Sequence, residues 1–346
     1  MNEDAMADQP MVNPKQRTDP RTLRPASTWQ DNLGWGLRDI ILRLGIGPDE
    51  IYEVKPRPEG PVPTHSVVEQ HAFVAPYAFA PILLQWIAYY YGEQRWSTAK
   101  AFFIYEFAFI IYAGQMIRHL HMLMLRYGTF DQENRPRDLL DDKNAYKTAS
   151  AVLVYILLRC AGPISFFFEP NEMPHFDLWS PVRISAYLLA LDYFFYCYHR
   201  SCHQVPWLWH IHRKHHSTKH PSPLLSILGD DIQETLEIAV IPSLSQLVVM
   251  LPFHELYVAM CYLLFVEAMG HTGARSDMGH PLFFWLKPLG LGLCIEDHDL
   301  HHRNGYRMRG LNMGKQTRLF DTLFGTCGKR LETSDHGLFK DGTLFG

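Results

Sequence analysis

The chemistry in this chain is concentrated in histidine. Of its 19 histidines, 13 fall between positions 199 and 302. The densest stretch is HRSCHQVPWLWHIHRKHH, residues 199–216, which contains His199-x-x-x-His203 and then His212-x-x-His215-His216. A second three-histidine box lies further on, at His298-x-x-His301-His302. On a helix, positions i, i+3 and i+4 share a face, so each box can aim two or three imidazoles at one point. Imidazole is the commonest metal ligand near neutral pH. Clusters of this density would be a desolvation liability without a ligand, and a metal turns that liability into coordination.

The boxes supply eight candidate ligands: His199, His203, His212, His215, His216, His298, His301 and His302. His271, in GHTGARSD at the end of an apolar segment, makes nine, and His280, in MGHPLFF, makes ten. A structural zinc takes four ligands, so this number implies two metals. Imidazole suits iron, zinc, copper and nickel alike, and spacing does not choose among them. The other histidines read as ordinary polar residues. His65, His71, His175, His254 and His336 stand alone, and His119 and His121 are split across a helix by their i, i+2 spacing. His210 should face away from the box, and His220 begins a loop closed by Pro221 and Pro223.

Carboxylates near the boxes suit a supporting role, because a ligating histidine usually donates its second N–H to a carboxylate or carbonyl. Asp192 lies two helical turns before His199, and Glu267 one turn before His271. Glu296 and Asp299 flank His298, while Glu234 and Glu237 follow the second box. Asp192 stands out because its surroundings (AYLLALDYFFYCY) are otherwise apolar, and an intramembrane carboxylate is a functional candidate by default.

The elements that must gather these residues are apolar helices. Mean hydropathy is only −0.13, but that average hides segregation: both ends are polar and the middle holds long apolar runs. Residues 72–91 carry no charge over 20 positions, enough to cross a bilayer core of ~30 Å. Similar segments follow at 101–117, 149–168 and 183–198, and the last leads directly into His199. Residues 236–251 and 255–270 form a pair broken at Leu251-Pro252-Phe253. The fold expected is all-α: an integral membrane bundle of four transmembrane helices, a partly inserted helical hairpin and a cytosolic histidine-rich cap.

Four regions are expected. Residues 1–64 hold a polar tail and a Pro-rich linker. They also hold an amphipathic stretch at 29–45, suited either to a membrane surface or to packing on the domain. Residues 65–148 form a transmembrane hairpin and loop, 149–330 the histidine-box domain, and 331–346 a tail. Loop 118–148 carries Arg118, Arg126, Arg135, Arg137, Lys143 and Lys147, whereas 169–182 has no Lys or Arg. The positive-inside rule therefore puts 118–148 in the cytosol, and counting crossings brings every box to the same side. The N-terminus lacks the apolar core of a signal peptide, so insertion should use internal segments. A net charge of −4 gives no reason to expect nucleic-acid binding. The six cysteines show no C-x-x-C spacing and read as free thiols.

Several motifs together resemble the fatty acid hydroxylase/sterol desaturase superfamily. They are Asp192-x-x-x-Tyr196-x-x-His199-Arg200-x-x-His203, Trp209-x-x-His212-Arg-Lys-His215-His216-Ser217, Glu267-x-x-Gly270-His271-Thr-Gly273 and Asp297-His298-Asp299-Leu-His301-His302. Asn312-Met-Gly314 and LFDTLFGT, residues 319–326, complete the set. The resemblance implies a non-haem centre of two iron ions, with zinc able to occupy it in purified protein, on the cytosolic face of the endoplasmic reticulum. It implies catalytic roles for the box histidines and His271, with Asp192, Tyr196, Glu267, Asp299 and Asn312 in support. It further implies O2 as co-substrate and hydroxylation of an unactivated C–H bond in a sterol, sphingoid, fatty acyl or lipophilic secondary metabolite. Electrons would come from cytochrome b5 and its reductase as separate proteins, since the chain has no His-Pro-Gly-Gly motif. Desaturation of the same substrates is the near alternative. A non-catalytic histidine-rich metal-binding membrane protein is the distant one, and it would line a path across the bilayer with histidine.

Overall fold

The structure, a computed structural model, describes residues 17–18, 25–26, 29–53, 55–92, 95–131, 134–304 and 310–334. Most of the polar N-terminal tail and of the 331–346 tail, with His336, lies outside the described residues. Apart from a two-residue antiparallel pairing of Arg17–Thr18 with Pro25–Ala26, the architecture is helical. Four long helices run in succession: α2 (Val67–Tyr91), α3 (Thr98–Tyr127), α4 (Asp142–Phe167) and α5 (Ser180–Gln204). A short amphipathic α1 (Leu37–Ile46) precedes them.

Local sequence sets the ends of these helices. Ser66, Ser97 and Asp141 each accept a hydrogen bond from a backbone N–H in the first turn of the helix that follows, the role short polar side chains take at N-caps. Gly128 ends α3 at φ 70°, a conformation glycine adopts without a steric penalty. Pro206 stops α5 and opens α6 (Pro206–His212), turning the chain between the first and second boxes. A short α7 (Asp231–Thr235) follows, and Pro252 likewise separates α8 (Ile241–Val248) from α9 (Phe253–Gly270).

Among the described residues, four helices are long and apolar enough to cross a membrane: α2, α3, α4 and α9. The number matches the expectation and the membership differs. The segment expected at 183–198 lies in α5, which is long enough, but Arg183, Asp192 and its terminal histidines keep it from counting as an apolar span. In its place α9, the inner limb of the expected hairpin, qualifies, although all 18 of its residues are buried in protein. The outer limb presents Leu247, Val248 and Met250 outward. The molecule is a multi-pass helical membrane bundle with α9 as its axis. Its core runs continuously from Ile51 to Ile295 and includes residues of α2, α3, α4, α5 and α9.

The two ends of the bundle can be told apart. At one, His65 before α2 meets the Tyr127 hydroxyl closing α3 at 2.8 Å, and Thr129 pairs with Ala274 just beyond α9. At the other, Tyr89 donates to the carbonyl of Pro170, and Phe168 packs edge-on against Phe253. The end of α5 that carries the first box lies at the first of these ends, with the terminus of α9. Trp29 is buried at this end too, donating to the Leu140 carbonyl beside α4. α1 packs on the domain through Leu42 and Gly45, which are buried, while Leu37, Ile40 and Leu44 face outward.

Candidate metal centre

Nine histidines converge into two groups. His199, His203, His212, His216 and His301 form one, and His215, His271, His298 and His302 form the other, with one ring nitrogen from each member within 4.8 Å of those of the rest of its group. Each three-histidine box sends two of its rings to one group and the third to the other. Within the second box, His212 and His216 face the first group and His215 the second. In α10 (Ile295–Asn304), His298 and His302 face the second group and His301 the first. The second box straddles the end of α6, a turn and a 3-10 turn at His215–Ser217, whereas in α10 helical geometry gives the reason. At 100° per residue, i+4 lies 40° to one side of i and i+3 lies 60° to the other. The i, i+4 pair leans toward one point and the i+3 ring toward its neighbour. The two boxes thus interlock, each contributing to both groups.

The ring orientations are fixed from behind. Nδ1 of His199 meets the Met313 carbonyl at 2.9 Å, and that of His301 meets the Leu311 carbonyl at 2.7 Å. His215 meets Leu228, His271 meets Glu267 and His302 meets Thr218 in the same way, at 3.1, 2.7 and 3.0 Å. His212 uses the side-chain oxygen of Gln233 at 3.0 Å. A carbonyl only accepts, so Nδ1 carries the proton and Nε2 presents a lone pair inward. The Nε2 atoms of His271 and His215, both fixed in this way, stand 3.2 Å apart. Two lone pairs at that distance repel unless a cation sits between them. Nε2 of His199 and of His302 is buried without a protein partner. The donor set therefore fits two metal ions, one in each group.

Burial keeps these rings neutral. His215, His216, His271, His298 and His302 are held well below the usual histidine range, first by desolvation and then by the neighbouring imidazoles. Burial also lowers His212 to about 3 and His301 to about 4. Neutral imidazole is the ligating form.

The remaining expected site residues fall elsewhere. His280 joins neither group: its Nδ1 accepts from Leu282 N at 3.1 Å, capping the turn that it opens. Asp192 does not touch His199. Seven residues of helix separate them by about 10 Å, and the Asp192 carboxylate instead accepts from the backbone N–H groups of Lys315, Gln316 and Thr317 and from the Thr317 hydroxyl. Tyr196 meets the Thr326 hydroxyl at 2.9 Å and stacks on Phe324. Glu267 supports His271 through its carbonyl, while its carboxylate pairs with Lys315 at 2.6 Å and Arg159 at 3.5 Å. Asp299 pairs with Arg303 at 2.6 Å. Asn312, at φ 58°, ties the Asp297 carbonyl to the N–H of Gly328.

Sequence reasoning gave no role to Gln233, Lys315 or Asp321. Lys315 bridges Glu267 and Glu237 from a buried position over the Phe195 ring. Asp321 accepts from the N–H groups of Met313 and Gly314 and from the Thr326 hydroxyl. The LFDTLFGT motif marked Asp321, whereas nothing marked Gln233 or the carbonyls.

The helical membrane bundle thus gathers nine histidines at one end, in two groups that could each hold a metal ion. The fatty acid hydroxylase family model matches residues 184–326, which contain all nine. The fatty acid hydroxylase vlmA of Lecanicillium sp. is 32% identical over 296 residues, 79% of this chain and 80% of that protein. The chain belongs to the fatty acid hydroxylase family. No solved structure matches it.

Proposed function

We propose that this protein is a membrane-bound di-iron hydroxylase that inserts oxygen into an unactivated C–H bond of a lipid or similarly hydrophobic substrate, using O2 and two electrons. The observation that carries this reading is the pair of interlocked histidine groups, of five and four rings, in a chain of the fatty acid hydroxylase family. Two iron ions, held by the nine histidines, would supply the one-electron chemistry with O2 that such a bond demands. The protein's part is positioning and the exclusion of water. The carbonyls of Met313, Leu311, Leu228, Glu267 and Thr218 keep five rings in the ligating tautomer and orientation. Burial keeps protons off the ligands. The apolar bundle beneath would admit a hydrophobic substrate from the bilayer.

Six Lys and Arg residues in 118–148 lie at the histidine end, which supports a cytosolic site in the endoplasmic reticulum. Cytochrome b5 and its reductase fit there as electron donors. Hydroxylation is preferred to desaturation because the family and the relative are both named for it.

The test is anaerobic loading of the purified protein with Fe2+, followed by a reductant, O2 and membrane lipid extract, with products read by mass spectrometry. A lipid product heavier by one oxygen is expected. His215→Ala should lose iron and product together, and His280→Ala should keep both. Absence of O2 uptake and of any oxidised lipid would sink the enzyme reading.

A further inference from the structure

The loop 310–318 holds rings of one metal group directly and reaches the other only through the Glu267 carboxylate and the Asp297 carbonyl. Its Leu311 and Met313 carbonyls hold Nδ1 of His301 and His199. Gly310 lies so close to His203 that a Cβ there would stand 2.8 Å from its Nδ1. Three of the five rings in the first group therefore lean on this loop. In the second group, His215, His271 and His302 take their carbonyls from Leu228, Glu267 and Thr218. Lys315 reaches the carboxylate of Glu267, not the carbonyl that holds His271.

Two fully buried carboxylates hold the loop. Asp192 binds its far half through the three N–H groups of 315–317 and the Thr317 hydroxyl, at 2.6–3.0 Å. Asp321 binds its near half through the N–H groups of Met313 and Gly314, at 2.7 and 2.8 Å. The Gly314 N–H and the Met313 carbonyl belong to one planar peptide unit, so Asp321 fixes that carbonyl directly, while Asp192 anchors the turn that follows it.

We propose that Asp192 and Asp321 are positioning residues for one metal only: they set the affinity of the five-histidine position and leave the four-histidine position intact. The inference rests on the two-metal reading above. Outer partners of metal ligands typically change affinity by about 10- to 100-fold, so the expected effect is a loss of that size confined to one site.

The experiment is anaerobic titration of the detergent-purified full chain with Fe2+, read as iron bound per chain. The unaltered chain should bind two. Asp192→Asn and Asp321→Asn should bind one at the concentration that fills both sites in the unaltered chain, and the second only at about 10- to 100-fold higher Fe2+. Combining Asp321→Asn with His298→Ala should leave none at that concentration, whereas combining it with His199→Ala should still leave one. Thr317→Ala removes a single bond to Asp192 and should weaken the same site more mildly, which keeps the test open if the aspartate variants fail to fold. Glu255→Gln is the matched control, a fully buried carboxylate paired with Arg183 at the opposite end, and should keep two irons while lowering the melting temperature. Two irons at unchanged affinity in both aspartate variants, or parallel loss of both, overturns the proposal. An unaltered chain that binds fewer than two defeats the two-metal reading instead.

Discussion

At the scale of single residues, the central tension is that nine imidazoles are buried together. Burial strips their hydration, and for His215, His216 and His298 the neighbouring imidazoles disfavour protonation further. Backbone carbonyls behind five of the rings and the Gln233 side chain behind a sixth recover one hydrogen bond each, which leaves the Nε2 lone pairs of those six facing inward. This arrangement sets a pH dependence. The folded value is about 3 for His212 and about 4 for His301, against ~6.5 in the unfolded chain. Between those limits the unfolded chain binds more protons, so metal-free stability is complete above ~6.5 and falls as pH drops, by up to about 1.4 kcal/mol per pH unit for each histidine. Thermal melts of chelator-treated protein should decline below pH 6.5. Iron-loaded protein should hold to lower pH, because protons must then compete with metal. A melting temperature for the metal-free form that is flat from pH 7.5 to 5 would contradict this account of the site.

At the scale of elements, α9 decides the fold. Its residues, Phe253 to Gly270, are buried on every face, so the helix carries no amphipathic stripe. It delivers His271 by running the length of the bundle. Ala259 is fully buried within it, so Ala259→Leu should overpack the core and cost about 1–3 kcal/mol. Leu247→Ala, on the outer face of α8 where Leu247 is 79% exposed, should change stability by less than about 0.5 kcal/mol. Denaturation in matched detergent would compare them, and equal costs would remove α9 from the core. What was legible in advance follows from the same physics. Long apolar runs announced α2, α3 and α4, with Glu106 and Arg159 the lone charges inside the second and third, and Pro252 announced the break before α9. Composition does not say whether an apolar helix faces lipid or protein, so the buried limb of the hairpin looked no different from the exposed one. The ligands were legible because imidazole spacing is a side-chain pattern. The groups that orient them were not, because five are backbone carbonyls whose positions depend on loops. The interlocking of the boxes was hidden for a related reason: i+3 and i+4 both count as one face until the angle between them matters.

At the scale of the whole molecule, the site is asymmetric with respect to the membrane. The boxes, the terminus of α9 and the basic loop 118–148 share one end, while residues 168–179 and the start of α9 form the other. A carrier that conducts metal across the bilayer would spread its ligands along the path, and the nine histidines here sit together instead. An oxygenase for lipid needs this arrangement: substrate enters from the apolar side, and electrons arrive from the aqueous side. The proposed orientation makes the histidine end cytosolic, and single cysteines can read it. Arg135 is exposed at that end and Met173 at the other. In a background with Cys197 and Cys327 changed to serine, Arg135→Cys should react with a membrane-impermeant maleimide on intact, cytosol-out microsomes. Met173→Cys should react only after the membrane is permeabilised, since its loop would face the lumen. The opposite pattern would turn the site to the lumen, out of reach of a cytosolic electron donor. Labelling of both in sealed vesicles would mean that the long helices do not cross the membrane at all.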